Sequence, residues 1–240
     1  MSIMVLQSNA AMVFTAQKLR SMGLSVTDQP NTDVDHLLLP VPSFPGGSKY
    51  ITPVLESLPP DVTISGGNLD HPAVSGYKTI DFLQDPLYLA KNAAITADCA
   101  LSLVKREWTD LPVLVLGWGR IGKCLGQKLQ SLNADVTIAA RKAEDLAIIQ
   151  ALGAKSISID AVFANIMEYQ IIFNTIPQMI LPNLQFHPNC IAIELASTPG
   201  MSGDKIISAR GLPGKYAPER SGALIAETFA RLTLRKEDTL

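Results

Sequence analysis

Six consecutive residues, Gly117-Trp118-Gly119-Arg120-Ile121-Gly122, have the types and spacing to hold a phosphate. They follow the apolar run Val113-Leu114-Val115-Leu116 and lead into a segment with Ile121, Leu125 and Leu129 at helical spacing. The motif therefore reads as strand, tight turn, helix. In that setting Gly117 lets the chain turn sharply, Gly119 lets backbone approach a pyrophosphate, and Gly122 lets the helix lie close to the strand. The first N–H groups of the helix and the positive end of its dipole then face the anion. GxGxxG alone is a weak signal, and a plain structural turn is the alternative. A strand before it and a helix after it make a dinucleotide cradle the expectation, with Trp118, Arg120 and Ile121 part of it.

The residues downstream of this loop bear on the coenzyme. An NAD site usually carries Asp or Glu about 20 residues on, at the end of the second strand, to hold the ribose 2′-OH. Here that strand, 134–139, runs into Ala140, and Arg141 and Lys142 come next. Two cations, one a guanidinium suited to bidentate phosphate contact, point to NADP(H). NAD remains the alternative, because Glu144 or Asp145 could reach back to a ribose. The bland reading of the pair is a solvated helix start. Further on, the run 171–174 ends in Asn174-Thr175-Ile176-Pro177. In a doubly wound sheet this loop lies beside the nicotinamide ribose, so Asn174 and Thr175 are expected to hydrogen-bond the cofactor and Ile176 and Pro177 to wall it.

Acid–base chemistry is less clearly marked. Glu194 closes an apolar strand at 190–195 and is the candidate cleft base, with a buried carboxylate bonded to backbone as the alternative. His187 stands before a proline outside any motif, while His36 in a strand and His71 in a turn read as structural. Lys215 and Arg220 flank the Gly-Leu-Pro-Gly turn at 211–214 and would suit an anionic substrate, although exposed cations are the norm. Cys99, Cys124 and Cys190 form no CxxC pair, so neither a zinc site nor a disulfide framework is expected. Cys99 and Cys124 read as packing residues on helix faces.

These residues need elements to carry them. Strands at 3–6, 24–27, 36–39, 62–65 and 77–80, with helices at 10–22 and 50–57, predict a small flavodoxin-like sheet whose ligand loops are 40–47 and 66–70. Asp85 as cap and Pro86 in the first turn start a helix expected to reach about 106 and to connect two domains, with Asn92 and Thr96 stacked at i, i+4. A second unit starts at Pro112. After the glycine loop come the strand at 134–139, a helix at 144–152, a strand at 155–159, a short helix near 161–166 and the strands at 171–174 and 190–195. A rigid turn cluster at 211–218 and a final helix at 221–234 complete the chain. The fold class is α/β, with two doubly wound parallel-sheet domains: an N-terminal flavodoxin-like one and a C-terminal NAD(P)-binding Rossmann one. The expected division is 1–84 plus 221–240 as a small substrate domain and 85–220 as the dinucleotide-binding domain.

Composition narrows the class. With 240 residues, 47% of them hydrophobic, the chain can bury sizeable cores, and a net charge of −2 gives no electrostatic case for nucleic acid or an anionic membrane. The N-terminus lacks a basic leader region, its first lysine being Lys18, and no apolar run reaches spanning length, so a soluble cytoplasmic chain is expected.

The glycine loop, the segment Phe173–Leu181 (FNTIPQMIL), ELASTPG at 194–200 and GLPGKYAP at 211–218 occur in one order, with SGG at 65–67 and the helix NAAITADCAL at 92–101. In these motifs, from about Leu38 to Leu234, the chain resembles the A subunits of dipicolinate synthases. The resemblance implies a two-domain NAD(P)-dependent oxidoreductase that dehydrates and oxidises hydroxytetrahydrodipicolinate to dipicolinate during sporulation, beside a flavoprotein-like B subunit, with room for a homodimer. With that reaction in view, Glu194 and Lys215 are the candidate catalytic residues, and Ser65, Gly66, Asn92, Thr96, Ser197, Pro213, Gly214 and Lys215 the candidate substrate residues. The chain departs from the pattern at the first turn, which reads Leu6-Gln7-Ser8-Asn9. It also departs at Ile95 and Cys99, where similar sequences carry Pro and Gly, and at Thr198, where Arg is often found. The rivals are another NADP-dependent dehydrogenase of a small carboxylate and a nucleotide-sensing subunit with no chemistry of its own.

Overall fold

A computed structural model describes residues 1–182, 185–203 and 205–234. Its elements, in chain order, begin with β1 (Ser2–Val5), α1 (Ala10–Ser21), β2 (Ser25–Thr27), β3 (His36–Leu38), α2 (Thr52–Leu55), β4 (Thr63–Gly66), β5 (Lys78–Asp81) and α3 (Pro86–Ser102). They continue with β6 (Pro112–Leu116), α4 (Arg120–Ser131), β7 (Asp135–Ala140), α5 (Ala143–Ala151), β8 (Lys155–Ser158), α6 (Val162–Asn165) and β9 (Ile171–Asn174). The last are β10 (Ile191–Glu194), β11 (Ile206–Ser208), α7 (Leu212–Tyr216) and α8 (Pro218–Thr233).

Two all-parallel sheets result, ordered β2-β1-β3-β4-β5 and β11-β10-β9-β6-β7-β8. The first is the flavodoxin-like order. Numbered from its own first strand, the second reads 6-5-4-1-2-3, the doubly wound order whose switch point lies between β6 and β9. The fold class is thus that of two doubly wound parallel-sheet domains. The chain divides into two compact units: Met1–Ile95 with the chain from Pro213 onward, and Thr96–Leu212. Of the C-terminal stretch expected at 221–240, residues 235–240 lie outside the described residues.

In the second unit Val113, Leu114, Val115 and Leu116 of β6 have no exposed surface, as befits a central parallel strand covered on both faces. Leu114, Leu116, Ala139, Ile172 and Ala192 build one core there. The first unit has its own core around Leu37, Leu39, Ile51, Leu55 and Ile64. Its α1 and α8 pack closely because Gly222 has no side chain: a Cβ there would lie 2.4 Å from the Ala11 carbonyl. Thr15 Oγ1 donates to the Gly222 carbonyl at 3.2 Å across the same contact.

Several expectations need correction. Residues 211–218 are not a turn cluster throughout, since Leu212–Tyr216 is a short helix into which Pro213 fits at the second position, where no helical N–H is required. The long helix stops at Ser102 rather than near 106, with Ser102 Oγ donating back to the Cys99 carbonyl. The three-residue strand β11 has no counterpart among the expected strands; it pairs with β10 at the sheet edge.

Candidate functional site

The glycine loop sits where the sequence places it, at the carboxyl end of β6. Gly117 has φ +102, and a Cβ on it would come within 2.6 Å of Thr175 Oγ1 and 2.9 Å of Ile176 Cγ1. The turn therefore needs glycine both for its backbone and for the loop pressed against it. At Gly122 a Cβ would lie 2.0 Å from the Gly117 carbonyl, so α4 can start this close to the turn only without a side chain. Gly119 differs from both. It is the N-cap of α4, makes no side-chain cap hydrogen bond, and has open space where a Cβ would stand. The protein leaves that space unfilled and the helix start uncapped, which is what an anionic ligand at a helix N-terminus requires.

Beside it, β7 ends at the buried Ala140, and Arg141 is exposed. The Arg141 guanidinium donates to Gln178 Oε1 at 2.6 Å. Lys142 is the N-cap of α5, whose first turn holds Glu144 and Asp145, where carboxylates suit the helix dipole. Gln178 is not among the residues the sequence singles out, because nothing in NTIPQ marks a glutamine as the partner of an arginine 37 positions earlier.

Two polar side chains at the end of β9 and in the loop after it are engaged within the protein. Thr175 Oγ1 donates to the Leu116 carbonyl at 2.8 Å. Asn174, expected to hydrogen-bond a cofactor, has no exposed surface. Its Oδ1 accepts from Ile176 N at 3.0 Å, and its Nδ2 donates to the Ile176 carbonyl at 3.1 Å and to both oxygens of Glu194 at 2.8 and 3.0 Å. The side chain is therefore fully engaged within the fold. Glu194, at 2% exposure, additionally accepts from the backbone N–H groups of Ala196, Gly200 and Met201.

In the second unit the structure gathers Gly117–Gly122, Arg141, Lys142, Asn174–Pro177, Glu194 and the exposed Ser197 along the carboxyl edge of one sheet. In the first unit Ser65 and Gly66 end β4, buried, and a Cβ on Gly66 would meet Ser43 Oγ at 2.4 Å. Ser43 Oγ in turn accepts from Gly67 N and donates to the Pro40 carbonyl, tying the 40–47 loop to the end of β4. Asn92 and Thr96 lie one turn apart on α3, Thr96 buried. Pro213, Gly214 and Lys215 lie on α7, with Lys215 exposed and its Nζ 5.3 Å from the centre of the Tyr216 ring.

The histidines are bound to backbone or core. Nδ1 of His71 accepts from Ala73 N and that of His187 from Asn189 N, and His71 also stacks on Phe44. Burial lowers the His36 imidazole below its ordinary range, against the pull of Asp35. Burial also raises Cys124, and raises Cys190 to about 11, so neither thiol is set up as a nucleophile. Among the described residues no three His, Cys, Asp or Glu side chains are grouped to hold a metal ion, and no helix is long and apolar enough to cross a membrane.

No family model matches the chain. The A subunit of dipicolinate synthase from Bacillus subtilis (strain 168) is 33% identical over 131 residues, half of this chain. The aligned stretch spans 44% of that relative's length. The crystal structure of the Bacillus halodurans dipicolinate synthase A subunit superposes with a TM-score of 0.82 at 20% identity, covering 96% of this chain and 97% of its own. The A chain of the Bacillus subtilis dipicolinate synthase gives 0.78 at 21% identity, with 99% and 97% covered. The likeness read from the motifs thus also appears in whole-chain comparison. At these structural identities it is a likeness of fold.

Proposed function

We propose that the chain is an NADP-linked oxidoreductase acting as its sequence relative is named to act, in the formation of dipicolinate. The observation that carries this reading is the uncapped start of α4 behind Gly119, at the switch point between β6 and β9. A coenzyme held there would supply a hydride acceptor.

In this reading the first N–H groups of α4, with Arg120, hold the pyrophosphate, and Trp118 and Ile121 complete the cradle. Arg141 and Lys142 meet the adenosine 2′-phosphate, Arg141 exchanging Gln178 for a stronger, charged acceptor. Thr175, Ile176 and Pro177 supply the wall against Gly117, and Asn174 supports that wall from behind. The substrate, hydroxytetrahydrodipicolinate, loses one water and then a hydride and a proton, leaving an aromatic ring. Aromatisation drives the reaction, so the residues mainly have to orient a dianion and exclude alternatives. Lys215 is the proposed cation and proton carrier, and Ser65, Gly66, Asn92, Thr96, Ser197, Pro213 and Gly214 are the proposed substrate residues. A flavoprotein-like B subunit is the proposed partner. Three free cysteines, two of them buried, fit a reducing cytoplasm.

The test is a mixture of chain, flavoprotein partner, hydroxytetrahydrodipicolinate and NADP+, followed by the ultraviolet absorbance of dipicolinate. Product formed at a rate that scales with this chain supports the reading. Coenzyme bound without product under any of these conditions would replace it with the nucleotide-sensing role, a rival favoured by the absence of a histidine, among the described residues, from the second unit's gathered edge. Turnover of a different small carboxylate would point to another dehydrogenase.

A further inference from the structure

Glu194 is the last residue of β10, buried to 2% exposure, and in register it lies opposite Asn174, the last residue of β9. Asn174 in turn lies opposite Leu116, the last residue of β6. Four N–H hydrogens converge on the carboxylate. Asn174 Nδ2 spends one hydrogen on the Ile176 carbonyl and shares the other between the two oxygens, Ala196 N reaches Oε1 at 2.9 Å, and Gly200 N and Met201 N reach Oε2 at 2.8 and 3.2 Å. Among the described residues no cation forms an ion pair with it. A carboxylate offers about four lone-pair sites, so every position from which it could take a substrate proton is filled. A general base needs one of those sites within reach of the substrate.

We propose that Glu194 is a positioning residue: the fold uses a buried side-chain anion to fix the wall against which the glycine turn of the dinucleotide crevice is built. The proposal rests on the dinucleotide reading only for its functional consequence. Donors from three separate places in the chain, 174, 196 and 200–201, converge on one carboxylate, an anion nest filled from within the protein. One side of the nest is Asn174, which holds Ile176 through both backbone groups of that residue. Thr175 and Ile176 then leave Gly117 no room for a Cβ. The other side is Gly200, where a Cβ would lie 2.4 Å from Asn174 Nδ2 and 2.6 Å from the Ile176 carbonyl. A displacement of the nest is therefore carried directly into the glycine turn. Glu194 acts through Asn174, Thr175 and Ile176 and takes no part in bond making.

Two variants test this by different routes. Glu194→Gln turns an acceptor into an NH2 donor facing N–H groups, and Gly200→Ala pushes on Asn174 while leaving the carboxylate intact. Amide exchange of the unliganded protein is measured at Thr175, Ile176, Gly200 and Met201, NADP+ affinity by fluorescence titration, and KM and kcat separately. Both variants are expected to exchange at these amides roughly tenfold faster than the wild type while Val113–Val115 of β6 stay protected. Both are also expected to bind NADP+ about tenfold or more weakly, with Glu194→Asp recovering part of the loss. Wild-type exchange and affinity in Glu194→Gln, together with abolished turnover, would make Glu194 a base and overturn the proposal. Unchanged exchange in Gly200→Ala would also overturn it. If the wild type itself binds no dinucleotide, the exchange measurements still decide the role of Glu194, and only the functional reading falls. Should Glu194→Gln fail to fold, Glu194→Asp and Gly200→Ala carry the same comparison.

Discussion

Each unit opens with the same device, a parallel strand followed by a 12-residue helix, and the two helices start differently. In the first unit, Asn9 caps α1 with its own side chain, accepting from Met12 N at 3.1 Å. In the second, Gly119 occupies the equivalent position before α4 and contributes no cap, with nothing within 4 Å of where a Cβ on it would stand. One helix start is capped by a side chain of the protein and the other is not, and in the proposed reading the second receives the pyrophosphate. A side-chain cap and an anion compete for the same first N–H groups, so of these two strand-turn-helix units the α4 start is the one that can take an anion without displacing a cap.

This comparison can be broken or sharpened. The largest effect is expected from Gly122→Ala, whose Cβ cannot coexist with the Gly117 carbonyl 2.0 Å away. Thermal unfolding should show a loss of about 2–3 kcal/mol, and dinucleotide titration a fall of roughly a hundredfold. Arg141→Ala comes next: NADP+ affinity should fall by about tenfold or more while NAD+ affinity stays close to the wild-type value, because only the 2′-phosphate loses a charged partner. Gly119→Asn gives α4 the cap that α1 already has. Calorimetry should find the variant up to about 1 kcal/mol more stable, and titration should find dinucleotide binding weakened about tenfold. Asn9→Ala is the mirror experiment, expected to destabilise by about 1 kcal/mol with dinucleotide affinity unchanged.

The smallest effect concerns pH. Burial against the core, with the ring edge-on to Phe229, lowers the His36 imidazole below its ordinary range in the folded state, while Asp35 partly opposes this. The unfolded chain therefore binds the proton first, and stability should decline as pH falls through the ordinary histidine range near about 6.5. His36→Leu should flatten that slope in denaturant titrations at pH 7 and pH 5.

How far the sequence can be read divides along similar lines. Val113–Leu116, Ile171–Asn174 and the other apolar runs give away both sheets, since a buried parallel strand is a local signal. The glycine loop is legible because glycines at fixed spacing follow an apolar strand and open a helix, and two of them, Gly117 and Gly122, answer to local constraints of the fold. The edge strand β11 is not, because three residues, two of them exposed, leave no pattern. α7 is hidden because Pro213 and Gly214 look like a turn. The Glu194 nest is half visible: IIFN and IAIE each end an apolar run on one polar residue, and adjacent strands in register bring such ends together. The donors at 196, 200 and 201 are backbone groups of a loop whose path no residue type encodes. Asn174 therefore reads in the sequence as a polar residue beside a ligand, when it is a polar residue beside another one.

The most direct test of the central claim is a calorimetric titration of NADP+ and NAD+ into the wild type and into Gly119→Asn. The wild type should saturate, with NADP+ the tighter ligand, and the capped variant should bind at least about tenfold more weakly while melting no lower. A wild type that takes up neither nucleotide, or a capped variant that binds them equally well, would contradict the account.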